Sequence, residues 1–167
     1  MTERKWCIID ASILLDFIAG DIFDTLFLYP FEFVTSDIVA DEVSRSYSPA
    51  QLTALGLTIL ELEEEQLLEI SSLQNEHIEL SPNDLSVYLF SVKYNTLLIS
   101  GDGPLRDLAD THRIEYHGTL WLLEELVQGE LLSPQDAARA LKQMLDNKRW
   151  LPRVDSEKLI KKWESGK

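Results

Sequence analysis

The chain has 167 residues, 45% of them hydrophobic and 26% charged, which predicts one globular domain and excludes a disordered chain or two domains of ordinary size. Its formal net charge of −14 at pH 7 argues against a general nucleic-acid binder, which would be basic. The single cysteine, Cys7, excludes an internal disulfide and points to a reducing cytoplasm, and no stretch is long and apolar enough to span a membrane.

The first predicted strand is the apolar run from Trp6 to Ile9, which is typical of a strand buried on both faces of a parallel sheet. The run ends at Asp10, and a helical pattern follows from Ser12 until Gly20. We therefore expect Asp10 at the carboxyl end of a central strand. That edge of an open α/β sheet is where ligands bind.

Further along the chain, short strand-like runs alternate with helical patterns. Strands are predicted over 31–35, 57–62, 96–100 and 113–117. Helices are predicted over 21–29, 51–55, 63–76, 120–127 and 156–163, and others open after Ser36, Ser81, Pro104 and Ser133. The apolar side of the helix 63–76 is expected to carry Leu67, Leu68 and Leu73. This alternation predicts a three-layer α/β/α fold around a parallel sheet of four to five strands.

The C-terminal part of the chain differs from the rest in charge. Nine of the 15 Lys and Arg residues lie between 139 and 167, which indicates either a contact region for an acidic partner or solvated helix faces. We assign residues 1–132 to one α/β domain and residues 133–167 to a helical extension packed on it. Trp150 and Trp163 of this extension are expected in the core, although the extension would also suit a dimer surface, a partner contact or a cover over the site.

Three acidic residues that precede predicted helices have an ordinary structural explanation. Asp10 and Asp102 each stand where a side chain would cap the helix that follows. Asp84 lies three residues after Ser81, the spacing of a capping box with Asp in place of Glu or Gln. Taken one at a time, these residues are explained as helix caps.

Glu42 is harder to explain in this way. It shares one side of its predicted helix with Ile38 and Val39, and a carboxylate facing the core is costly unless it is paired or binds a cation. Asp10 and Asp102 both follow buried strands and so meet at one sheet edge, where four carboxylates would repel one another unless a cation lay between them. Oxygen ligands favour Mg²⁺ or Mn²⁺, and no His–Cys set has zinc spacing. The four candidate metal ligands are Asp10, Glu42, Asp84 and Asp102.

Five short motifs follow one another in a specific order between about Trp6 and about Leu132. They are Ile8-Ile9-Asp10-Ala11-Ser12, Thr35 to Val43 with Glu42 near its end, Ser81 to Asp84 before a helix, Leu97 to Ala109, and Gly118-Thr119-Leu120 before the next helix. Together they resemble the PIN domain family, in its single-domain prokaryotic form related to ribonuclease toxins of the VapC type.

The resemblance implies an enzyme that hydrolyses RNA phosphodiester bonds with one or two Mg²⁺ or Mn²⁺ ions. It assigns the acidic pocket and its catalytic role to Asp10, Glu42, Asp84 and Asp102. Ser12 matches a residue that orients the first acid or a water molecule. Asp107 matches a further metal-binding acid, although it also suits a helix surface, and Arg106 matches either a pocket ion pair or a substrate contact. The implied partners are an RNA substrate, a small antitoxin protein and a second copy of the chain.

Other interpretations of the same residues stay open. In one, the chain is a catalytically inactive member of the fold that serves as a binding or scaffold protein, and its acids are helix caps. A response-regulator phosphoacceptor domain is disfavoured because Asp10 has no acidic neighbour and no predicted strand ends in Lys. A haloacid-dehalogenase-like phosphatase is disfavoured because position 12 is Ser rather than Asp.

Overall fold

In the computed structural model, which describes residues 4–166, five parallel strands form one sheet flanked by helices. The predicted domain ends, 1–3 and 167, therefore lie outside the described residues. The strands are β1 (Lys5–Ile9), β2 (Phe31–Ser36), β3 (Thr58–Leu60), β4 (Leu97–Ile99) and β5 (Tyr116–His117). The helices are α1 (Ala11–Ala19), α2 (Phe23–Leu26), α3 (Asp37–Glu42), α4 (Pro49–Leu55), α5 (Glu64–Glu76), α6 (Pro82–Lys93), α7 (Gly103–Thr111), α8 (Thr119–Gln128), α9 (Pro134–Asp146) and α10 (Arg153–Glu164).

The sheet has the strand order β3-β2-β1-β4-β5, so β1 is central. Cys7 of β1 pairs with Phe33 of β2 on one side and with Leu97 of β4 on the other. Cys7, Ile8 and Ile9 are fully buried, as expected for a strand covered by helices on both faces. The predicted three-layer α/β/α fold is therefore confirmed. Because all the strands are parallel, the residues that follow them lie at one edge, which we call the carboxyl edge.

The predicted apolar side of helix α5 is wrong for two of its three residues. Leu73 is partly buried against the core, as predicted, but Leu67 and Leu68 are exposed, and the side that packs towards α6 also carries Gln66 and Ile70. Gln66 tolerates this position because its Oε1 accepts the backbone N–H of Glu63, 2.9 Å away, in a capping box. The buried position of Gln66 therefore leaves no unpaired side-chain acceptor, and the two leucines lie in solvent.

Helices α9 and α10 lie against the rest of the chain, and α9 contacts α1, α8 and α10. The inward face of α9 is buried through Ala137, Ala140, Leu141 and Met144. Gly20 leaves room for this packing, since a Cβ there would lie 2.7 Å from the Cε atom of Met144. None of the helices within residues 4–166 is long and apolar enough to cross a membrane.

The two tryptophans of the C-terminal part have different environments. Trp163 is buried, as predicted, but Trp150 is 96% exposed, so its expected place in the core is wrong. Trp150 lies in the connection between α9 and α10, where its neighbour Arg149 turns inward. The inward position is occupied by the arginine because it pairs with the buried Asp16, and the tryptophan points outward.

Candidate active site

The carboxyl group of Asp10 is the most buried acid at the carboxyl edge. It directly follows β1, is 2% exposed, and caps α1 by accepting the N–H of Ala11 at 2.7 Å. Its other oxygen, Oδ2, accepts hydrogen bonds from the hydroxyls of Ser100 at 2.9 Å and Ser12 at 3.2 Å. Asp10 is therefore both a helix cap, as the structural interpretation predicts, and a carboxylate fixed in position by three donors.

Burial raises the pKa of Asp10 to about 7, and the negative charge of Asp84 adds to this rise. The hydrogen bonds from Ser100, Ala11 and Ser12 act in the opposite direction but do not cancel the effect. Ionised Asp10 is therefore a buried negative charge without a compensating cation among residues 4–166.

Asp10→Asn is expected to raise the Tm of the metal-free protein at pH 8 by roughly 4–8 °C, which corresponds to about 2 kcal/mol. The folded-state pKa of Asp10 lies above its ordinary value, so its contribution to stability is complete below about pH 4 and is lost as the pH rises through about 7. Asn carries no charge at either pH. Thermal unfolding in EDTA at pH 8 and pH 5 measures the difference, and an equal or lower Tm of the variant at pH 8 would contradict the expectation.

Asp102 is joined to Asp10 through Ser100. The backbone N–H of Asp102 donates to Ser100 Oγ at 3.1 Å, and the same hydroxyl donates to Asp10. The side chain of Asp102 caps α7 by accepting the N–H of Leu105 at 2.9 Å. Burial raises the pKa of Asp102, and the charges of Asp84 and other acids reinforce the rise. Two strand-end acids thus lie at one edge, as the sequence predicts.

Asp84 forms the capping box that its spacing predicts. Its Oδ2 accepts both the N–H and the hydroxyl of Ser81 at 2.9 Å, and its own N–H donates back to Ser81 Oγ at 3.1 Å. Its charge nevertheless acts on Asp10 and Asp102, since it raises the pKa of both. Asp84 therefore belongs to the same acidic group as Asp10 and Asp102.

The expectation that Glu42 faces the core is wrong, because Glu42 is exposed while Val39 is fully buried. Helix α3 has six residues and ends at Glu42, so this last side chain extends past the packed face. Its Oε2 accepts a hydrogen bond from the side-chain amide of Asn83 at 2.6 Å. Glu42 is thereby held beside the start of α6, one residue from Asp84.

Asp10, Asp84 and Asp102 act on one another at the carboxyl edge, and Glu42 is linked to this group through Asn83; we call these four acids the acidic rim. They do not form a coordination shell. Across residues 4–166, no three His, Cys, Asp or Glu side chains stand close enough together to hold a metal ion. Within the same residues, one oxygen of three of the acids accepts no hydrogen bond, since only the other oxygen is engaged. These unengaged oxygens are Oδ1 of Asp84, Oδ1 of Asp102 and Oε1 of Glu42. The donor chemistry and the charge fit Mg²⁺ or Mn²⁺, while the spacing is that of helix caps.

Two further predicted site residues have different positions relative to this rim. Ser12 contacts Asp10 and accepts the N–H of Gly101 at 3.4 Å, so it lies between the two strand-end acids. Asp107 is exposed on α7, and its charge raises the pKa of Tyr116 rather than that of Asp10 or Asp102. The structure therefore brings Ser12 to the rim and does not bring Asp107 to it.

A buried network next to the rim was not predicted from the sequence. Asp16 of α1 accepts Nε of Arg149 at 2.6 Å and the hydroxyl of Thr119 at 2.6 Å. Nη2 of Arg149 also donates to the backbone carbonyl of Ser12 at 3.2 Å. Asp16 was detectable, because it follows Ile13 by three residues and so shares the apolar side of its helix. Its partner was not, because nothing local marks Arg149.

Comparison with known proteins agrees with this architecture. The family model of the PIN domain matches residues 6–165, and so extends past Leu132 through α9 and α10. A PilT N-terminus domain protein from the hyperthermophilic archaeon Sulfolobus solfataricus P2 has a similar structure, with a TM-score of 0.51. It is 15% identical in sequence, and the alignment covers 72% of this chain and 92% of that one, a likeness of fold.

A search of curated protein sequences found no significant match. The family match, in contrast, covers almost the entire chain and includes every acid at the rim. PIN domains lie within a nuclease superfamily and generally depend on divalent metal ions. With this match and the observed sheet, the chain belongs to the PIN domain family.

Proposed function

We propose that this protein is a metal-dependent ribonuclease that hydrolyses RNA phosphodiester bonds at the carboxyl edge of its sheet. The observation that supports this most is the carboxyl group of Asp10, whose pKa burial raises to about 7, with a further rise from the negative charge of Asp84. A protein that places acids so that they disfavour one another's ionisation offers a site at which a cation is stabilising.

In this proposal, Asp10, Glu42, Asp84 and Asp102 hold Mg²⁺ or Mn²⁺. A bound divalent ion supplies Lewis-acid stabilisation of the phosphoryl oxygens and lowers the pKa of water. The chain's own contribution is positioning: Ser100 and Ser12 fix the carboxyl group of Asp10, and Asn83 fixes that of Glu42. Outer hydrogen bonds of this kind orient metal ligands and are costly to remove.

Cleavage of single-stranded RNA by the purified protein is expected with Mn²⁺ or Mg²⁺ and is expected to stop when EDTA is added. Mn²⁺ is also expected to raise the Tm at pH 8, because a bound cation compensates the buried negative charge. Ca²⁺ serves as a control for nonspecific neutralisation. Absence of RNA cleavage with both ions, over a range of RNA sequences, would contradict the proposed activity.

The second candidate function is a catalytically inactive binding or scaffold protein with a PIN fold. It is favoured by the spacing of the acids, because Asp84 and Asp102 are engaged in helix caps and no coordinating group of three exists in the part of the chain that the structure describes. This candidate predicts neither a Mn²⁺-dependent rise in Tm nor an anomalous Mn²⁺ signal at Asp10 in crystals. A measurement of metal binding therefore distinguishes the two candidate functions without a cleavage assay.

The biological role we propose is that of the toxin in a toxin–antitoxin pair, acting on cytoplasmic RNA and restrained by a small antitoxin protein. Support comes from the resemblance of the five motifs to single-domain ribonuclease toxins. Induced expression is expected to arrest growth, and Asp10→Asn is expected to relieve the arrest. A homodimer is part of the proposal, and light scattering of the purified protein measures it.

A further inference from the structure

A cavity of about 310 Å³ opens at the carboxyl edge next to the acidic rim. It lies between the segment from Tyr116 to Trp121 and the connection between α9 and α10, and Gly101 forms part of its wall. This volume lies at the lower end of the range for small-molecule sites and would admit one nucleotide. The acids of the rim do not line this cavity.

Four aromatic rings line the cavity, those of Tyr116, His117, Trp121 and Trp150. The rings of His117 and Trp121 stack almost parallel, with centroids 4.1 Å apart and an interplanar angle of 11°. His117 is held in place by a contact of 3.0 Å between its Nε2 and Glu115. Trp150 also lines the cavity and is 96% exposed, which leaves a large planar surface in water. An exposed aromatic ring beside a cavity is available for stacking on a planar ligand.

Although Trp150 is exposed, the backbone on both sides of it is held in place. Its neighbour Arg149 is anchored to the buried Asp16 and to the carbonyl of Ser12, and Pro152 restricts the backbone two residues later. The network therefore holds Trp150 at the mouth of the cavity. This anchor joins the backbone next to Trp150 to Ser12, whose hydroxyl donates to Asp10.

Positive charge lies beside the aromatic rings. The guanidinium of Arg106 stands 5.3 Å from the ring centroid of Tyr116 and forms no ion pair within residues 4–166. Asp16, the acid that lines the cavity, forms an ion pair with Arg149 and accepts a hydrogen bond from Thr119. Stacking surfaces together with an arginine are the chemistry that recognises an unpaired nucleobase and its phosphate.

The cavity is connected to the acidic rim through two hydrogen bonds. Nε of Arg106 donates to the carbonyl of Ser100 at 2.8 Å, and the hydroxyl of Ser100 donates to Asp10 at 2.9 Å. We infer that the cavity binds an unpaired base of single-stranded RNA next to the phosphodiester bond that is cut. This inference rests on the proposed ribonuclease function and makes Trp150 and Arg106 substrate-positioning residues.

The test measures binding of a 5′-fluorescein-labelled single-stranded RNA octamer, by anisotropy, in the Asp10→Asn background with Mg²⁺. Trp150→Ala is expected to raise the Kd about 10-fold, in line with the loss of one stacked base, whereas Trp150→Phe stays within about 3-fold. The same RNA in a duplex is expected to bind at least about 10-fold more weakly, because its bases are already stacked. Binding is also expected to quench tryptophan fluorescence, and less so in Trp150→Phe.

Tyr94→Ala is the matched control, because Tyr94 is a partly exposed aromatic residue just before β4, at the opposite edge of the sheet. It is expected to leave the Kd unchanged. In the otherwise wild-type enzyme, Trp150→Ala is expected to raise KM about 10-fold and to change kcat less than about 2-fold, since the lost contact is made before and during the reaction alike.

The outcomes separate this inference from the proposed function. If the wild-type protein cleaves RNA but Trp150→Ala changes neither Kd nor KM, the cavity does not bind the substrate and the ribonuclease proposal stands. If no RNA is cleaved but Trp150→Ala still weakens binding of the single strand, the cavity is supported and the ribonuclease proposal fails. Equal binding of single strand and duplex, unaffected by Trp150→Ala, would overturn the inference.

Discussion

Asp10→Asn is expected to lower the rate of metal-dependent RNA cleavage by at least about 100-fold. Loss of an outer hydrogen bond to a metal ligand already costs about 10- to 100-fold, and Asp10 is itself a proposed ligand. It is also the acid that the surrounding structure holds most tightly, with one backbone donor and two hydroxyl donors. Single-turnover cleavage of a labelled RNA with saturating Mn²⁺ measures the rate constant.

This loss would not be explained by unfolding, because the same variant is expected to be more stable than the wild-type protein at pH 8 without metal. Asp24→Asn is the matched control. It removes the same charge from an exposed acid of α2, which leads into the amino end of β2 and so lies at the opposite edge of the sheet from the rim. We expect Asp24→Asn to retain full activity. Cleavage by Asp10→Asn at more than one tenth of the wild-type rate would count against metal catalysis at this rim.

Much of the fold was predictable because its signals are local. The run from Trp6 to Ile9 is apolar throughout, and β1 occupies almost the same residues. The spacing of Ser81 and Asp84 predicts a capping box, and the structure contains it. Caps and apolar runs depend on residues a few positions apart, so one sequence is enough to recognise them.

The candidate site was predictable only in part. That Asp10 and Asp102 share an edge follows from parallel strands, and the structure places both there. The exposure of Glu42 was missed because it depends on where α3 ends, not on helical periodicity. The outward position of Trp150 was missed because it depends on the pairing of Arg149 with a residue 133 positions away. Such long-range contacts leave no pattern in a single sequence.

The Arg149–Asp16 pair is the most buried ion pair within the described residues. The side chain of Asp16 is 5% exposed and that of Arg149 is 27% exposed, and the pair joins the connection after α9 to helix α1. Burial still raises the pKa of Asp16, although hydrogen bonds from Thr119 and Arg149 and the charge of Arg149 lower it. Asp16 therefore depends on its partner, because removal of one member of a buried pair leaves the other charge uncompensated.

Arg149→Met is accordingly expected to lower the free energy of unfolding at pH 8 by about 3–5 kcal/mol. The change raises the pKa of Asp16 further. An acid with a raised folded-state pKa stabilises the folded state only while it is protonated, so the loss in free energy of unfolding grows as the pH rises above about 4. Urea unfolding at pH 8 and pH 5 measures both effects. The double variant Asp16→Asn/Arg149→Met, which removes both charges, is expected to recover most of the loss, because neutral replacement of a buried pair is often without cost. A double variant no more stable than Arg149→Met would show that packing of the arginine, rather than compensation of the buried carboxylate, holds this connection on the domain.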